Sequence, residues 1–151
     1  MQQFGEFFLN HWDLFLALAV ILGMLFWQSF GGRIRGYRDV EPLDAVQLMN
    51  REDAVLVDVR EEPEMKDGFI AGSVHIPLSK FGERAGTLDG SRGKPVIVGC
   101  RSGHRSARAA GMLRKRGFEP VYNLRGGIMA WQNANLPLSK PGKPGKQKKK
   151  K

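Results

Sequence analysis

The stretch "PVIVGCRSGHRSARAAGMLRKRG", residues 95 to 117, holds the only cysteine of the chain between two segments of different hydrophobic period. Residues 95 to 99 form a compact apolar run that is typical of a buried strand. Residues 103 to 116 carry apolar positions at helical spacing, and Gly117 follows as a candidate helix C-cap. The stretch therefore predicts a strand, a short loop that begins at Cys100, and a helix.

The same alternation of periods continues on both sides of this stretch. Apolar runs that are typical of strands lie at residues 54 to 59, 73 to 77 and 120 to 124, and a helical pattern follows at residues 126 to 134. Strands that alternate with helices and read as continuous apolar runs indicate a parallel sheet covered on both faces. We therefore predict an α/β domain over residues 40 to 138.

The N-terminal part has no charged side chain between residues 14 and 32, and nineteen helical residues span about 28 Å, close to the thickness of the bilayer hydrocarbon. Trp12 and Trp27 lie near the ends of this stretch, where aromatic rings favour the membrane interface. A cleaved signal peptide would carry positive charge before its apolar run, and this chain does not. The predicted segments are an N-terminal flank at residues 1 to 11, a transmembrane helix at residues 12 to 32 and a basic juxtamembrane linker at residues 33 to 39.

Flanking charge orients the predicted span. Arg33, Arg35 and Arg38 follow its apolar stretch, whereas Glu6 and Asp13 precede it. Because positively charged flanks stay on the cytoplasmic side, we predict a single-pass protein of the inner (cytoplasmic) membrane, with the N-terminus outside and the α/β domain in the cytoplasm. A reducing compartment agrees with a single cysteine, which has no second thiol for an internal disulfide.

Residues 139 to 151 form a lysine-rich tail with no apolar residue after Leu138. Removing its seven lysines from the net charge of +9 leaves about +2 for the rest of the chain, so the basic balance belongs mostly to the tail. Such a segment cannot bury a core and is predicted to be disordered. Three interpretations stay open for it: a solvated tail, contact with anionic lipid, or contact with RNA.

The loop that begins at Cys100 joins a predicted strand to a predicted helix, at the sheet edge where ligand sites collect. Unpaired amides and the helix dipole favour negative charge there, and Arg101 and Arg105 add full positive charges. Gly99 and Gly103 permit the backbone turns that direct successive amides inward, forming an anion-binding nest. Because such surroundings lower the pKa of a thiol, we predict that Cys100 is a thiolate nucleophile rather than a buried structural residue.

Three motifs carry a resemblance to a known family. "CRSGHRS" at residues 100 to 106 resembles the C-x-x-G-x-R-S loop of single-domain rhodaneses. "DVREEPEMKDGFIAGSVHIPL" at residues 58 to 78 and "NLRGGIMAW" at residues 123 to 131 are similar to the two other family segments, in the same order. With its N-terminal helix the chain resembles the membrane-anchored bacterial type. The resemblance implies a rhodanese-like three-layer domain, with a central parallel sheet flanked by helices.

The resemblance also implies a sulfurtransferase, with Cys100 in the place of the nucleophile. It would take sulfur from a small anionic sulfur donor such as thiosulfate, hold it as a persulfide and pass it to a thiol acceptor, which is a small molecule or a protein. The reaction would need no metal and no organic cofactor. The expected substrate-binding residues are Arg101, Ser102, Gly103, His104, Arg105 and Ser106.

Asp58 and Arg60 are expected to support the site, since they end a strand at the same sheet edge. Asp58 would either pair with a loop arginine or form an ion pair that holds the fold. His104 would either add charge to the loop at low pH or face solvent without a catalytic duty. Phe69 and His75 depart from the family pattern, which often has His and Asn there, and the departures bear on donor preference rather than on the reaction.

Two other functions compete with sulfur transfer. Four residues separate Cys100 from Arg105, whereas related phosphatases with this type of fold use five, so the shorter loop favours sulfur over phosphate. The second alternative is a rhodanese-like adaptor that binds a membrane protein partner, with incidental sulfurtransferase activity. The predicted anchor and basic tail motivate it, since a small soluble donor requires no tether.

Overall fold

The computed structural model of the chain describes residues 12 to 141, and for residues 27 to 35 it describes the helical backbone alone. The chain divides into two units, residues 1 to 35 and residues 36 to 151. The predicted N-terminal flank and residues 142 to 151 of the lysine-rich tail lie outside the described residues.

The first unit contains helix α1, Trp12–Arg35, whose side chains from residue 12 to residue 26 are exposed. A helix was expected here, and it extends past the predicted end at residue 32. The predicted transmembrane span is not found, because no helix in the described part of the chain is both long enough and apolar enough to cross a membrane.

The second unit alternates strands and helices, as the hydrophobic periods predict. The strands are β1 (Arg38–Val40), β2 (Val55–Asp58), β3 (Val74–His75), β4 (Val96–Gly99) and β5 (Val121–Leu124). The helices are α2 (Pro42–Arg51), α3 (Phe81–Arg84), α4 (His104–Lys115) and α5 (Gly127–Asn133), with 3-10 helices at Glu62–Asp67, Leu78–Lys80 and Ala85–Ser91.

The five strands form one sheet in the order β1-β5-β4-β2-β3, and every pair within it is parallel. The order places β4 at the centre, between β5 and β2. The loop that follows β4 therefore leaves the middle of the sheet at its carboxyl edge, the position where parallel sheets collect ligand sites. This arrangement confirms the predicted α/β domain with a central parallel sheet.

Both faces of the sheet are covered by buried apolar side chains. Successive residues of a strand point to opposite faces, so Val96 and Val98 join the cluster that contains Leu113 of α4. Ile97 points the other way and joins the cluster that contains Ala45 of α2 and Trp131 of α5. The three layers hold the backbone of β4 between two packed cores, and this fixes the strand end from which the loop departs.

Strand β1 was not predicted, and it lies where the basic linker was expected to meet the domain. Only Val40 of its three residues is buried, so no apolar run marks the strand. It forms because β5 offers a parallel partner, with Asp39 opposite Asn123. Tertiary pairing rather than local pattern decides this strand.

Candidate active site

Cys100 follows the last residue of β4, and its side chain is buried, with 1% of the residue exposed. The backbone N–H of Gly103 donates a hydrogen bond to Sγ over 3.1 Å. The Ser106 hydroxyl lies 3.3 Å from the same sulfur. The loop therefore curls around Sγ, as the predicted anion-binding nest requires.

Gly103 makes this curl possible. Its φ of +98° lies in the left-handed region, which side chains other than glycine adopt only with strain. A Cβ at this position would also lie 3.2 Å from the backbone nitrogen of Gly126, a tight contact. The residue is the N-cap of α4, so the turn delivers its N–H to the sulfur immediately before the helix begins.

The N-terminal end of α5 orients the other loop peptides. Ile128 N–H donates to the carbonyl oxygen of Cys100 over 2.8 Å, and Met129 N–H donates to that of Arg101 over 3.2 Å. In a trans peptide the C=O and the following N–H point in opposite directions, so these carbonyls turn the next amides away from α5. A Cβ on Gly127 would overlap the Cys100 carbonyl oxygen, which explains why glycine precedes Ile128.

The pKa of the Cys100 thiol lies below its ordinary value. Burial opposes ionisation and is the largest single influence. Hydrogen bonding by the Ser106 hydroxyl and the backbone amides of Ser106, Ser102 and Gly103 outweighs it. The physical basis of the predicted thiolate is therefore a ring of hydrogen-bond donors around a buried sulfur.

Arg105 does not stand free in the loop, because Glu64 holds it through a bidentate ion pair. Arg105 Nη1 lies 2.6 Å from Oε2 of Glu64, and Nη2 lies 2.7 Å from Oε1. Hydrogen bonding by Arg105 lowers the pKa of Glu64 from 4.5 to about 2, against the opposing effect of burial. The same pair raises the pKa of Arg105. Much of the positive charge expected to attract an anionic donor is therefore already compensated.

Of the two alternatives for Asp58, the structure shows the ion pair within the fold, formed with Arg60, and not a pair with a loop arginine. Arg60 Nη2 lies 2.7 Å from Asp58 Oδ2, with side-chain exposures of 4% and 1%. Arg60 also donates to the carbonyl oxygens of Gly68 and Glu64, at 2.7 and 3.3 Å. Arg60, two residues away, donates to both carboxylate oxygens of Asp58, so the carboxylate is paired without contact with the loop.

The remaining predicted loop residues, Arg101, Ser102 and His104, are exposed. Ser102 Oγ lies 3.3 Å from His104 Nδ1. No carboxylate in the described part of the chain forms an ion pair with Arg101. Arg101 borders a cavity beside the loop, which is also lined by the charged side chains of Arg60, Glu64 and Asp67 and by Ile128, Met129, Gln132 and Leu138. It is the cation of the loop that is available to an incoming anion.

Sequence reasoning missed Asn123 and Asp39. The Ser106 hydroxyl lies 2.6 Å from Asn123 Oδ1, and Asn123 Nδ2 donates to Asp39 Oδ1 over 2.8 Å. Neither residue belongs to the loop motif, and only the register between β1 and β5 brings them together. Gly127 was part of a matching motif, but its packing against the loop carbonyls was not foreseen.

The site contains no evident place for a metal ion. Across the described residues, no three His, Cys, Asp or Glu side chains group closely enough to hold one. The chemistry that the geometry offers is that of one sulfur anion surrounded by hydrogen-bond donors.

Comparison with known proteins places this geometry among relatives. The family model described as a rhodanese-like domain matches residues 41 to 134. The uncharacterized protein YibN of Escherichia coli (strain K12) is 33% identical over 139 residues, which cover 91% of this chain and 97% of that protein. The thiosulfate sulfurtransferase GlpE of Glaesserella parasuis serovar 5 is 33% identical over 102 residues, covering 68% of this chain and 93% of that protein.

The fold has a counterpart among solved structures. The crystal structure of a rhodanese-related protein from Thermoplasma volcanium is 33% identical, with a TM-score of 0.62 over 68% of this chain and 98% of that chain. The family match lies within the second unit, since it spans residues 41 to 134.

Proposed function

This chain belongs to the rhodanese-like domain family, and from that premise we propose that it moves sulfane sulfur from an anionic donor such as thiosulfate to a thiol acceptor through a persulfide on Cys100. The family and its relatives support a sulfurtransferase-type function. The relative from Glaesserella parasuis bears the name thiosulfate sulfurtransferase, which motivates the choice of donor.

The proposed reaction has two displacements at sulfur. The Cys100 thiolate attacks the outer sulfur of thiosulfate, a new S–S bond forms, and the bond to the sulfonate sulfur breaks, so that sulfite leaves with the electron pair. An acceptor thiolate then attacks the outer sulfur of the persulfide, and Cys100 departs as a thiolate. Sulfur passes as a neutral atom, so no external oxidant or reductant enters the balance.

The observation that carries the proposal is the ring of donors around Sγ. The outer sulfur of a persulfide is an anion at neutral pH, and it needs hydrogen-bond donors placed in advance. The Gly103 N–H already points at the sulfur over 3.1 Å, and α5 turns the amides after Cys100 and Arg101 away from itself. A thiolate and a persulfide anion are both stabilised by such a ring.

Attraction of the donor falls to Arg101 in this proposal. Arg105 is occupied by Glu64, whereas Arg101 is exposed and borders the cavity beside the loop. An anion in this cavity lies beside Arg101, whereas Arg60 and Glu64 in the same lining are held by their ion-pair partners. Arg105 then acts chiefly by holding the loop to the 3-10 helix that carries Glu64.

The test replaces Cys100 by Ser and follows two readouts. Transfer of sulfur from thiosulfate to cyanide is expected to fall to the background rate, and the intact protein should no longer gain the mass of one sulfur when thiosulfate is added. Thr87→Ser, at an exposed position away from the loop, is the control and should behave as the wild type. Unchanged turnover of Cys100→Ser would refute the proposal.

A second candidate function is an adaptor that binds a protein partner, and the observation that favours it is the row of exposed apolar side chains on α1. Exposed apolar surfaces of this kind mark interaction sites. Complementation in cells by the Cys100→Ser chain separates the two functions. An adaptor keeps its function without the thiol, and a sulfurtransferase does not.

A further inference from the structure

A line of polar side chains runs from the nucleophile through the interior to the edge strand β1. The Ser106 hydroxyl lies 3.3 Å from Cys100 Sγ and 2.6 Å from Asn123 Oδ1, and Asn123 Nδ2 lies 2.8 Å from Asp39 Oδ1. Ser106 is fully buried and Asn123 is 6% exposed, whereas Asp39 reaches the surface. We refer to Asp39, Asn123 and Ser106 as the relay.

The chemistry of Asn123 gives the relay a direction. An amide has a donating end and an accepting end, whereas an ionised carboxylate only accepts. Asp39 therefore requires the NH₂ end of Asn123, and the carbonyl end must face Ser106. Rotating the amide by half a turn would place two oxygens against each other at Asp39, which is unfavourable.

The Ser106 hydroxyl has one proton and two neighbours that accept it. Asn123 Oδ1 lies 2.6 Å from Ser106 Oγ and Sγ lies 3.3 Å from it, so each acceptor is within hydrogen-bond distance and the two compete for one proton. A neutral thiol is a weak acceptor, so while Cys100 is protonated the Ser106 proton goes to Asn123 Oδ1 and a lone pair of Ser106 faces the sulfur. In this arrangement Ser106 accepts from the protonated thiol, and it donates to the thiolate only by giving up its hydrogen bond to Asn123.

We propose that Asp39 is a positioning residue, which through Asn123 directs the Ser106 proton away from Cys100 and so holds back ionisation of the resting thiol. The inference rests on the proposed function only for its catalytic meaning, because the ionisation of Cys100 is measured without any sulfur transfer. In consequence, the Ser106 hydroxyl lowers the pKa of Cys100 by less than it would without the competing Asn123 oxygen, and the loop amides act on the thiolate without such competition.

Other charged groups near the two ends of the relay define the controls. Arg125 faces Asp39 from the end of β5 and also pairs with Glu41 over 3.1 Å. Arg105, held by Glu64, is the charged group that interacts with Cys100 from α4. Removing the charge of Asp39 therefore also changes the electrostatic field, and the experiment has to separate this effect from the relay.

The experiment is a double-mutant cycle on the full chain. Asp39→Asn allows the Asn123 amide to turn, because an amide at residue 39 can donate as well as accept. Ser106 then receives a hydrogen bond from Asn123 Nδ2 and donates its own proton to the thiolate. Ser106→Ala removes the hydroxyl and with it the relay, while any field effect of Asp39 remains.

The readout is the pH titration of thiolate absorbance in the ultraviolet, together with the rate of alkylation by iodoacetamide. Both report on Cys100 alone, since the chain has one cysteine. We expect Asp39→Asn to lower the pKa of Cys100 by about one, or about tenfold more thiolate below the midpoint. In the Ser106→Ala background the same substitution should leave the midpoint nearly unchanged. Glu41→Gln, which removes a neighbouring charge outside the relay, should also have little effect.

Two results would overturn the inference. An equal drop in both backgrounds would show that Asp39 acts through its field alone, and an unchanged midpoint in Asp39→Asn would show that it does not act at all. Urea unfolding of each variant verifies that the native fold is being titrated. If the wild-type protein does not transfer sulfur from thiosulfate to cyanide, the proposed function is refuted, and the result on the relay still stands.

Discussion

Two arginine–carboxylate pairs hold neighbouring parts of the molecule in different ways. Asp58 and Arg60 are two residues apart and almost fully buried, with side-chain exposures of 1% and 4%. Glu64 and Arg105 are 41 residues apart and partly exposed, at 24% and 35%. The first pair lies within one strand end, and the second connects a 3-10 helix to the segment that follows Cys100.

The difference teaches where the rigidity of the site originates. The buried pair holds the strand end to Gly68, since Arg60 also donates to that carbonyl oxygen. Arg60 contacts the carbonyl of Glu64 as well, so the buried pair positions the carboxylate that holds Arg105. The Asp58–Arg60 pair thus fixes the position of Glu64, and the Glu64–Arg105 pair in turn fixes the position of Arg105 beside the loop.

The largest effect is expected for Asp58→Asn. The substitution leaves Arg60 as a buried charge without its carboxylate, and breaking a buried pair in this way costs about 3 to 5 kcal/mol. Urea unfolding followed by circular dichroism measures the loss. Asp89→Asn, which breaks the exposed pair with Arg92, is the matched control and should cost about 1 kcal/mol or less. Equal losses in the two variants would remove the distinction between the pairs.

A smaller effect is expected for Glu64→Gln, because water reaches both partners when the pair is broken. We expect a loss of about 1 to 2 kcal/mol in the free energy of unfolding at neutral pH. The folded-state pKa of Glu64 is depressed from 4.5 to about 2, so its contribution is present above pH 4.5 and is lost as the pH falls toward 2.

The pH dependence gives this prediction its control. The difference in unfolding free energy between wild type and Glu64→Gln should shrink between pH 4.5 and 2, in urea titrations at matched ionic strength. A difference that stays constant across this window would mean that the charge of Glu64 does not hold Arg105.

The smallest effect on stability is expected for Arg101→Ala. Unlike Arg60 and Arg105, Arg101 forms no ion pair with a carboxylate among the described residues. The free energy of unfolding should change by less than about 0.5 kcal/mol, as for an exposed residue. The KM for thiosulfate should rise about fivefold at low salt, the size of an exposed charge attraction of about 1 kcal/mol. Arg84→Ala, at another exposed position, should leave KM unchanged, and an equal rise in both variants would contradict the assignment of Arg101.

Much of the fold is visible in local patterns, because strands β2, β4 and β5 and helices α4 and α5 are short and strongly periodic. β1 escaped prediction, since an edge strand with one buried residue carries no apolar run. The transmembrane span is the opposite case, because it was predicted from an uncharged stretch. In the described part of the chain, no helix is long and apolar enough to cross a membrane.

The features of the candidate site also divide into those that local sequence predicts and those that depend on contacts between distant elements. The motif around Cys100 predicted a thiol at the strand end and the glycine turn beside it, because both depend on residues that are neighbours in sequence. It did not identify the partner of Arg105, and it left two roles open for Asp58, which the structure pairs with Arg60. Which carboxylate an arginine meets depends on how far side chains reach between elements, and spacing within one motif carries no such information.

The sequence by itself determined the alternation of strands and helices around Cys100, the position of one thiol at a strand end and the turn that delivers the Gly103 N–H to it. These follow from hydrophobic period and from the conformational freedom of glycine, which are local properties. Only the tertiary structure decided that Glu64 holds Arg105 and that Gly127 packs against the loop carbonyls. It also decided that Ser106 is hydrogen-bonded to Asn123, and Asn123 to Asp39. Each of these contacts joins residues far apart in the chain, and the packing of helices on a parallel sheet alone brings them within hydrogen-bond distance.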